Sequence, residues 1–102
     1  MPLRISGRNI SVGQALQQRI SDRVDEAASK YFRGNYRGHA TVGRDGFAFR
    51  TECVLHLDSG ALLEVEGVSA DPYDSAEQAA LRIEKRLRRY KRRKDHQVRR
   101  RV

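Results

Sequence analysis

The stretch that most constrains the fold is residues 71–94, which predict one long amphipathic helix. Asp71 is a favourable N-cap, Pro72 occupies the preferred first helical position, and the charge of Asp74 suits the positive end of the helix dipole. No Gly or Pro follows Pro72. The apolar positions recur at alternating intervals of three and four, which predicts one buried seam. This seam consists of Tyr73, Ala76, Ala80, Ile83, Leu87 and Tyr90.

The charges of this helix are sorted around the seam. At 100° per residue, one flank carries only basic residues beyond the first turn. These are Arg82, Lys85, Arg86, Arg89 and Arg93. Glu77 and Glu84 fall on the other flank, where Arg88 follows Glu84 by one turn as an ordinary helix pair. A one-signed strip repels itself, so it indicates a polyanionic partner; the plainer alternative is a solubilising face.

The chain has 102 residues, which is enough for one domain with a modest core. Its formal net charge is +8, and twelve of its 21 Lys and Arg residues lie from Arg82 onward. The remainder is close to neutral, so the excess is a local patch.

Cysteine content and hydropathy indicate a cytoplasmic protein without a membrane span. The single cysteine, Cys53, excludes an internal disulfide and is expected to be a small core residue. The N-terminus lacks the apolar segment of a signal peptide, and no segment approaches the roughly 20 apolar residues of a membrane helix.

A strand and a second helix precede this long helix. Leu3 and Ile5 alternate with polar residues, which predicts a short strand, and a helix then begins near Gly13. Gly34 is expected to end the helix as its C′ residue, with Arg33 in the last turn. The predicted apolar face consists of Leu16, Ile20, Val24, Ala27 and Tyr31, and the basic residues of one flank are Arg19, Arg23 and Lys30.

Three further strands are predicted between the helices. The first lies around residues 36–42, and Asp45-Gly46 indicates a hairpin turn. In the next strand the inward positions are Phe47, Phe49, Thr51, Cys53, Leu55 and Leu57. Leu63 and Val65 point inward from the last strand.

The element order defines the expected architecture. The order β-α-β-β-β-α predicts an α+β fold in which a four-stranded antiparallel meander packs both helices on one face. The opposite face is expected to be acidic, through Glu52, Asp58, Glu64 and Glu66. Contact with RNA should therefore occur along the helices, with the cations on neighbouring edges and the acids behind them.

Two stretches carry a resemblance to a known family. They are ISGRNISVGQALQQRISDRV at residues 5–24 and EGVSADPYDSAEQAALRIEKRLRRYK at residues 66–91. With the strands between them, they resemble the ribosome hibernation promoting factors, also called ribosome-associated inhibitors. The resemblance implies a fold similar to a double-stranded RNA-binding domain. It also implies binding to the small ribosomal subunit where messenger RNA and the A- and P-site transfer RNAs would sit, which silences idle ribosomes in stationary phase or stress.

The family's RNA contacts come from basic positions on both helices. By position, the resemblance implies an RNA-binding set of Arg19, Arg23, Lys30, Arg82, Lys85, Arg86, Arg89, Arg92 and Arg93. Residues 1–94 would form the ribosome-binding domain, and residues 95–102 a frayed basic tail or the start of a linker. Short members of the family end near this point, whereas long members continue into a domain that pairs ribosomes. Ribosome dimerisation would require such a domain beyond this chain.

Three other functions are compatible with the residues. A generic double-stranded RNA-binding domain would also bind free duplex, and a protein-interaction module would dock its basic helix on an acidic partner. A ribonuclease would need converging acid and base groups, but His39, His56 and His96 are scattered. The sequence therefore predicts a protein that is not an enzyme and uses no cofactor, metal or small-molecule substrate.

Overall fold

The described residues form six elements of secondary structure in the predicted order. The computed structural model describes residues 3–32 and 34–100, with side chains as far as residue 92. The elements are β1 (Leu3–Arg8), α1 (Gln14–Tyr31), β2 (Tyr36–Asp45), β3 (Ala48–Leu57), β4 (Leu62–Ser69) and α2 (Pro72–Arg100). The α+β class and the β-α-β-β-β-α order are therefore confirmed.

The four strands form one sheet in the order β1-β2-β3-β4. The strands β2, β3 and β4 make the predicted antiparallel meander, but β1 runs parallel to β2, with Ile5 opposite Ala40. The prediction of a fully antiparallel sheet is wrong at this pair. Because α1 carries the chain back across the sheet, β2 starts at the same end as β1.

Both helices cover one face of the sheet, and the core lies between these layers. Thr51, Cys53 and Leu55 face the helices from β3, and Ile83 and Leu87 face the sheet from α2; all five are buried. Burying a side chain such as Ile83 stabilises the fold by about 1.5–3 kcal/mol. Burial also raises the pKa of the Cys53 thiol to about 12, so Cys53 is the neutral core residue that the sequence predicts.

Two aromatic residues do not pack where the alternation placed them. Asp45 pairs with Ala48, so Gly46 and Phe47 form a two-residue hairpin loop, in which Gly46 has φ +64°. Phe47 is 99% exposed at the tip of this loop, and the prediction that it packs inward is wrong. Phe49 is half-buried at the end of the sheet, with the guanidinium carbon of Arg44 5.7 Å from its ring centroid. Side-chain alternation does not reach the loop, because β3 begins after it.

The first helix, α1, begins as predicted but ends differently. Gly13 is its N-cap, without a side-chain hydrogen bond. Its C-cap is Phe32, whose backbone N–H donates to the carbonyl oxygen of Ala28 at 2.7 Å. Gly34 is two residues beyond this C-cap and is therefore not the C′ residue, so that prediction is wrong. A Cβ there would lie 2.5 Å from the Asp58 side chain and 2.8 Å from the Phe32 ring, so these side chains would have to shift. Arg33, which was predicted in the last turn, lies outside the described residues.

The second helix, α2, is longer than its predicted extent. Asp71 caps it: its carbonyl oxygen accepts from the Ser75 N–H at 3.0 Å, and its side chain accepts from the Tyr73 N–H at 3.3 Å. The backbone stays helical to Arg100, past the frayed end that was predicted at Lys94. Helix propagation is cooperative and no Gly or Pro interrupts it, which accounts for the extension. The division of the chain at residue 94 remains a prediction.

Direct contacts fix the height of α2 above the sheet. Gly67 of β4 lies so close to the helix that a Cβ there would be 2.3 Å from the Ser75 carbonyl oxygen. The hydroxyl oxygens of Thr51 and Ser75 form a buried hydrogen bond of 2.8 Å. Ala79 joins the buried seam at this approach, whereas Tyr73 is 42% exposed instead of belonging to it. The start of α2 is therefore held against β3 and β4.

Candidate nucleic-acid interface

The basic flank of α2 is exposed along its described length. We define the basic strip by the side chains that share this flank, which are Arg82, Lys85, Arg86, Arg89 and Arg92, all exposed. The side chain of Arg93, which the sequence placed in the same flank, lies outside the described residues. Among side chains up to residue 92, no carboxylate forms an ion pair with the strip. Its positive charge is therefore available to an external anion.

Two members of the basic strip contact the backbone of β4. Arg82 donates from Nη1 to the carbonyl oxygen of Glu66, and Arg86 donates from Nη1 to that of Glu64 at 3.3 Å. A carbonyl oxygen carries only a partial charge, so these contacts orient the guanidinium groups without neutralising them. The strip therefore lies along the β4 edge of the sheet.

A shallow groove lies between the basic strip and β4. It is lined by Val65, Glu66, Arg82, Lys85, Arg86 and Arg89. The carboxylate of Glu66 is 2.7 Å from Nη1 of Arg50, whose Nη2 is 2.7 Å from Asp45. Hydrogen bonds to Asp45 and then to Glu66 raise the pKa of the Arg50 guanidinium. Arg50 thus pairs with Glu66, which is the one acidic side chain among the described residues that line this groove.

The predicted basic residues of α1 have different neighbours. Glu77 of α2 lies 3.0 Å from Nη2 of Arg23 and 4.0 Å from Nε of Arg19. Lys30 is exposed, with its Nζ 5.4 Å from the ring centroid of Tyr31. The charges of Arg19 and Arg23 are therefore partly cancelled inside the molecule.

These contacts correct the predicted arrangement of the two basic groups. Arg19 and Arg23 meet the Glu77 side of α2, whereas Arg82 and Arg86 leave α2 toward β4. The two groups lie on opposite sides of α2 rather than on neighbouring edges, and an acid lies between the helices. Glu84 and Arg88 form no ion pair in the described structure, contrary to the predicted helix pair.

The open face of the sheet is divided by charge. The outward residues of β3 and β4 include the predicted acids Glu52, Glu64 and Glu66. Asp58 lies instead in the turn after β3, where its side chain accepts from the Asn35 N–H at 2.9 Å. The β1–β2 half is basic, with exposed Arg4, Arg8, Arg37 and His39. An acidic face is therefore wrong for half of the sheet.

The sequence contains a pattern that indicates the basic half of the open sheet face. Arg4 and Arg8 alternate with Leu3 and Ile5, whose side chains belong to the core. A period of two therefore assigns both arginines to the open face. The predicted acidic face rested on the later strands alone and left out Arg4 and Arg8.

Metal ligands, helix hydropathy and the histidines bear on other kinds of site. The described residues contain no group of three or more His, Cys, Asp and Glu side chains that could hold a metal ion. Neither of the helices, as far as they are described, is long and apolar enough to span a membrane. His39 and His56 are exposed on different strands, and the side chain of His96 lies outside the described part.

Fold and surface together define a class: a β-α-β-β-β-α domain with two helices on one sheet face and a cationic helix flank. The sequence profile described as "Sigma 54 modulation protein / S30EA ribosomal protein" matches residues 3–95. The chain belongs to this family, which confirms the resemblance seen in the sequence.

Two curated relatives are each called "Ribosome hibernation promotion factor". The one from Bradyrhizobium diazoefficiens is 58% identical over 100 residues, which cover 97% of this chain and 49% of the relative. The one from Rhizobium meliloti is 42% identical over 97 residues, which cover 94% of this chain and 51% of the relative. The chain therefore spans about half the length of these relatives.

Solved structures show the same fold. The N-terminal domain of Thermus thermophilus Protein Y superposes with a TM-score of 0.79 at 24% identity, covering 88% of this chain and 99% of that one. A ribosomal subunit interface protein from Coxiella burnetii superposes with a TM-score of 0.77 at 15% identity, covering 89% and 98%.

Proposed function

We propose that this chain is a ribosome-binding domain that inhibits translation. It binds the small ribosomal subunit, mainly its ribosomal RNA, at the channel for messenger RNA and for A- and P-site transfer RNA. Binding there silences idle ribosomes in stationary phase or stress. Family membership and the names of the two curated relatives support ribosome hibernation as the process.

The observation that carries the proposal is the exposed basic strip without an ion-pair partner among the described side chains. Ribosomal RNA is a dense polyanion, and each phosphate that a Lys or Arg neutralises releases condensed counterions. Arg predominates in the strip, and its planar guanidinium suits two-point contact with a phosphate. Phosphate contacts fix position without reading base sequence, so shape must select the channel. Inhibition is steric and makes or breaks no covalent bond.

A triple substitution to Glu tests this proposal, at Lys85, Arg89 and Arg92. Because three phosphate contacts are lost and three repulsive charges are added, we expect binding to small subunits to fall by more than about 100-fold at 0.1 M salt. The slope of log affinity against log salt should decrease by about 2 to 3, at about 0.7 to 0.9 for each contact. Co-sedimentation over a range of salt concentrations measures both quantities.

The matched control makes the same change of net charge elsewhere. Arg4, Arg8 and Arg37 changed to Glu reverse three cations on the open face, and we expect at least a third of the affinity to remain. Circular dichroism verifies that both triple variants are folded. Equal loss of binding in the two variants would show that net charge acts rather than the basic strip, and would reject the proposed interface.

Competition separates the channel from other targets. Small subunits loaded with messenger RNA and initiator transfer RNA should bind the chain at least 10-fold more weakly than vacant subunits. A generic duplex-binding domain would instead be displaced by free duplex RNA. A module for an acidic protein partner would remain associated after nuclease treatment. Undiminished binding to loaded subunits would exclude steric inhibition.

A further inference from the structure

Three side chains of α2 meet backbone groups of β4 in a regular series. The side-chain oxygen of Gln78 accepts from the Val68 N–H at 3.3 Å. Arg82 then donates to the carbonyl oxygen of Glu66, and Arg86 to that of Glu64. Each step of four residues along α2 corresponds to a step of two residues back along β4, so the helix and the strand run in opposite directions.

The two spacings match closely. Four helical residues rise by about 6.0 Å. Two residues of an antiparallel strand rise by about 6.8 Å. Side chains at every fourth helix position can therefore follow alternate strand residues for two steps with a mismatch below about 2 Å. This agreement explains why three successive contacts form instead of one.

The contacted strand is an edge of the sheet, since β4 pairs only with β3 in the order β1-β2-β3-β4. Alternate residues of an edge strand turn their N–H and C=O groups away from the sheet, where another strand could pair with them. Beside these groups, Leu62 is 51% exposed and Val68 is 38% exposed. An uncovered β4 would therefore present both hydrogen-bonding groups and apolar side chains to a second chain.

We propose that Gln78, Arg82 and Arg86 form an edge clamp. The clamp holds α2 in register on β4 and closes this edge against strand addition by a second copy of the chain. Lys85, Arg89 and Arg92 form an outer row that carries the phosphate contacts. This last assignment rests on the proposed function, whereas the clamp itself does not.

The position of the guanidinium groups separates the two roles. Nη1 of Arg82 and Nη1 of Arg86 are directed to strand carbonyls. Lys85, Arg89 and Arg92 are exposed and have no hydrogen bond to β4 in the described structure. Arg82 and Arg86 are therefore positioning residues, and their charges add to the field of the strip without setting its contact points.

Two double variants with the same loss of charge test the assignment: Arg82→Met with Arg86→Met, and Lys85→Met with Arg89→Met. Methionine keeps an unbranched apolar stem but donates no hydrogen bond. We expect the first pair to lower Tm by about 5 °C or more, because two hydrogen bonds from charged donors are lost. It should also form dimers as concentration rises in sedimentation velocity. The second pair should leave Tm within about 2 °C and self-associate no more than the unchanged chain.

Binding to small subunits should rank the variants in the opposite order. Loss of two outer-row contacts should weaken binding about 15- to 30-fold at 0.15 M salt, whereas loss of the clamp arginines should weaken it about 3-fold. Equal Tm and equal self-association in the two pairs would overturn the clamp. A larger loss of binding in the clamp pair would overturn the assignment of the outer row.

Two further features of the experiment distinguish a failure of the clamp from a failure of the proposed function. If the clamp pair does not fold, Arg86→Met alone is compared with Arg89→Met by the same measurements. Tm and self-association are measured without RNA. A failure of both pairs to affect subunit binding would therefore reject the proposed function and leave the clamp standing.

Discussion

Arg23 on α1 and Arg82 on α2 each contact another group of the protein, but the two contacted groups differ in charge. Arg23 lies 3.0 Å from the carboxylate of Glu77. Arg82 donates to the backbone carbonyl of Glu66. A carboxylate cancels the charge of the guanidinium, whereas a carbonyl dipole only orients it. Similar residues at helical spacing therefore give one group of cations that is partly neutralised and one that is free to attract anions.

The comparison favours the basic strip of α2 over the α1 cations as the proposed interface. The side chains of Arg23 and Glu77 are 29% and 33% exposed, so solvent screens this pair only in part. An incoming phosphate must compete with Glu77 for Arg23. No described carboxylate competes in this way along α2, up to residue 92. The availability of a cation depends on its tertiary neighbours as much as on its place on a helix.

The largest expected effect comes from a substitution that moves α2 away from β4 without changing any charge. Gly67→Ala would place a Cβ 2.3 Å from the Ser75 carbonyl oxygen and 2.8 Å from the Ala79 nitrogen. Both are backbone atoms, so the helix must move away from β4. We expect the free energy of unfolding to fall by about 3 kcal/mol, measured by chemical denaturation.

A second glycine provides the control for that substitution. A Cβ at Gly13 would meet nothing within 4 Å, so Gly13→Ala should cost no more than about 1 kcal/mol, because Ala is only a poorer N-cap than Gly. If the two alanine variants were equally stable, the close approach of α2 to β4 would be wrong. The contrast between the anchored strip on α2 and the paired arginines on α1 would then lose its basis.

A smaller effect tests whether Glu77 masks the α1 cations. Glu77→Gln removes the carboxylate beside Arg19 and Arg23, so both can attract phosphate. We expect affinity for small subunits to rise about 3- to 5-fold at 0.1 M salt, with a steeper salt dependence. Titration of binding at several salt concentrations provides the measurement.

Glu84→Gln is the matched control, because it changes the net charge equally but removes no ion pair seen in the described structure. Its affinity should rise by less than about 2-fold. The same rise in both variants would mean that net charge, not the Glu77 contact, separates the two helices.

The smallest effect concerns an acid of α1 that is held by the sheet. The Tyr36 hydroxyl donates to Oδ1 of Asp25 at 3.0 Å. Burial, followed by the Asp25 contact, raises the pKa of Tyr36 above its ordinary value of 10.0. Stability from this group is present below pH 10 and is lost as pH rises toward the raised pKa, because the unfolded chain ionises first.

Tyr36→Phe should therefore remove part of the alkaline loss of stability. Between pH 8 and pH 10.5, the advantage of the unchanged chain over the variant should shrink by about 0.5 kcal/mol, because solvent screens this half-buried hydroxyl. Urea denaturation at both pH values measures it, with Tyr73→Phe as an exposed control. A constant difference across this range would show that Asp25 is not tied to β2 as described.

The sequence predicted the elements better than their partners. The period of α2 identified Ile83 and Leu87 as core, and the Asp71-Pro72 pair located the helix start, because both signals lie within one element. The same reasoning placed Phe47 inside, although it lies in a loop where alternation has no meaning. The same reasoning predicted that β1 is antiparallel to β2. This was wrong because the direction of β2 relative to β1 depends on how α1 crosses the sheet, which local pattern does not specify.

By itself, the sequence determined the order of the elements, the buried seam and the gathering of cations on one flank of α2. These properties follow from periodicity and local capping, which the chain carries within each segment. Only the tertiary structure decided that Glu77 meets Arg23 and that Arg82 and Arg86 reach β4. Those pairings join residues far apart in the chain, so they depend on how the helices and the sheet pack, which no local pattern specifies.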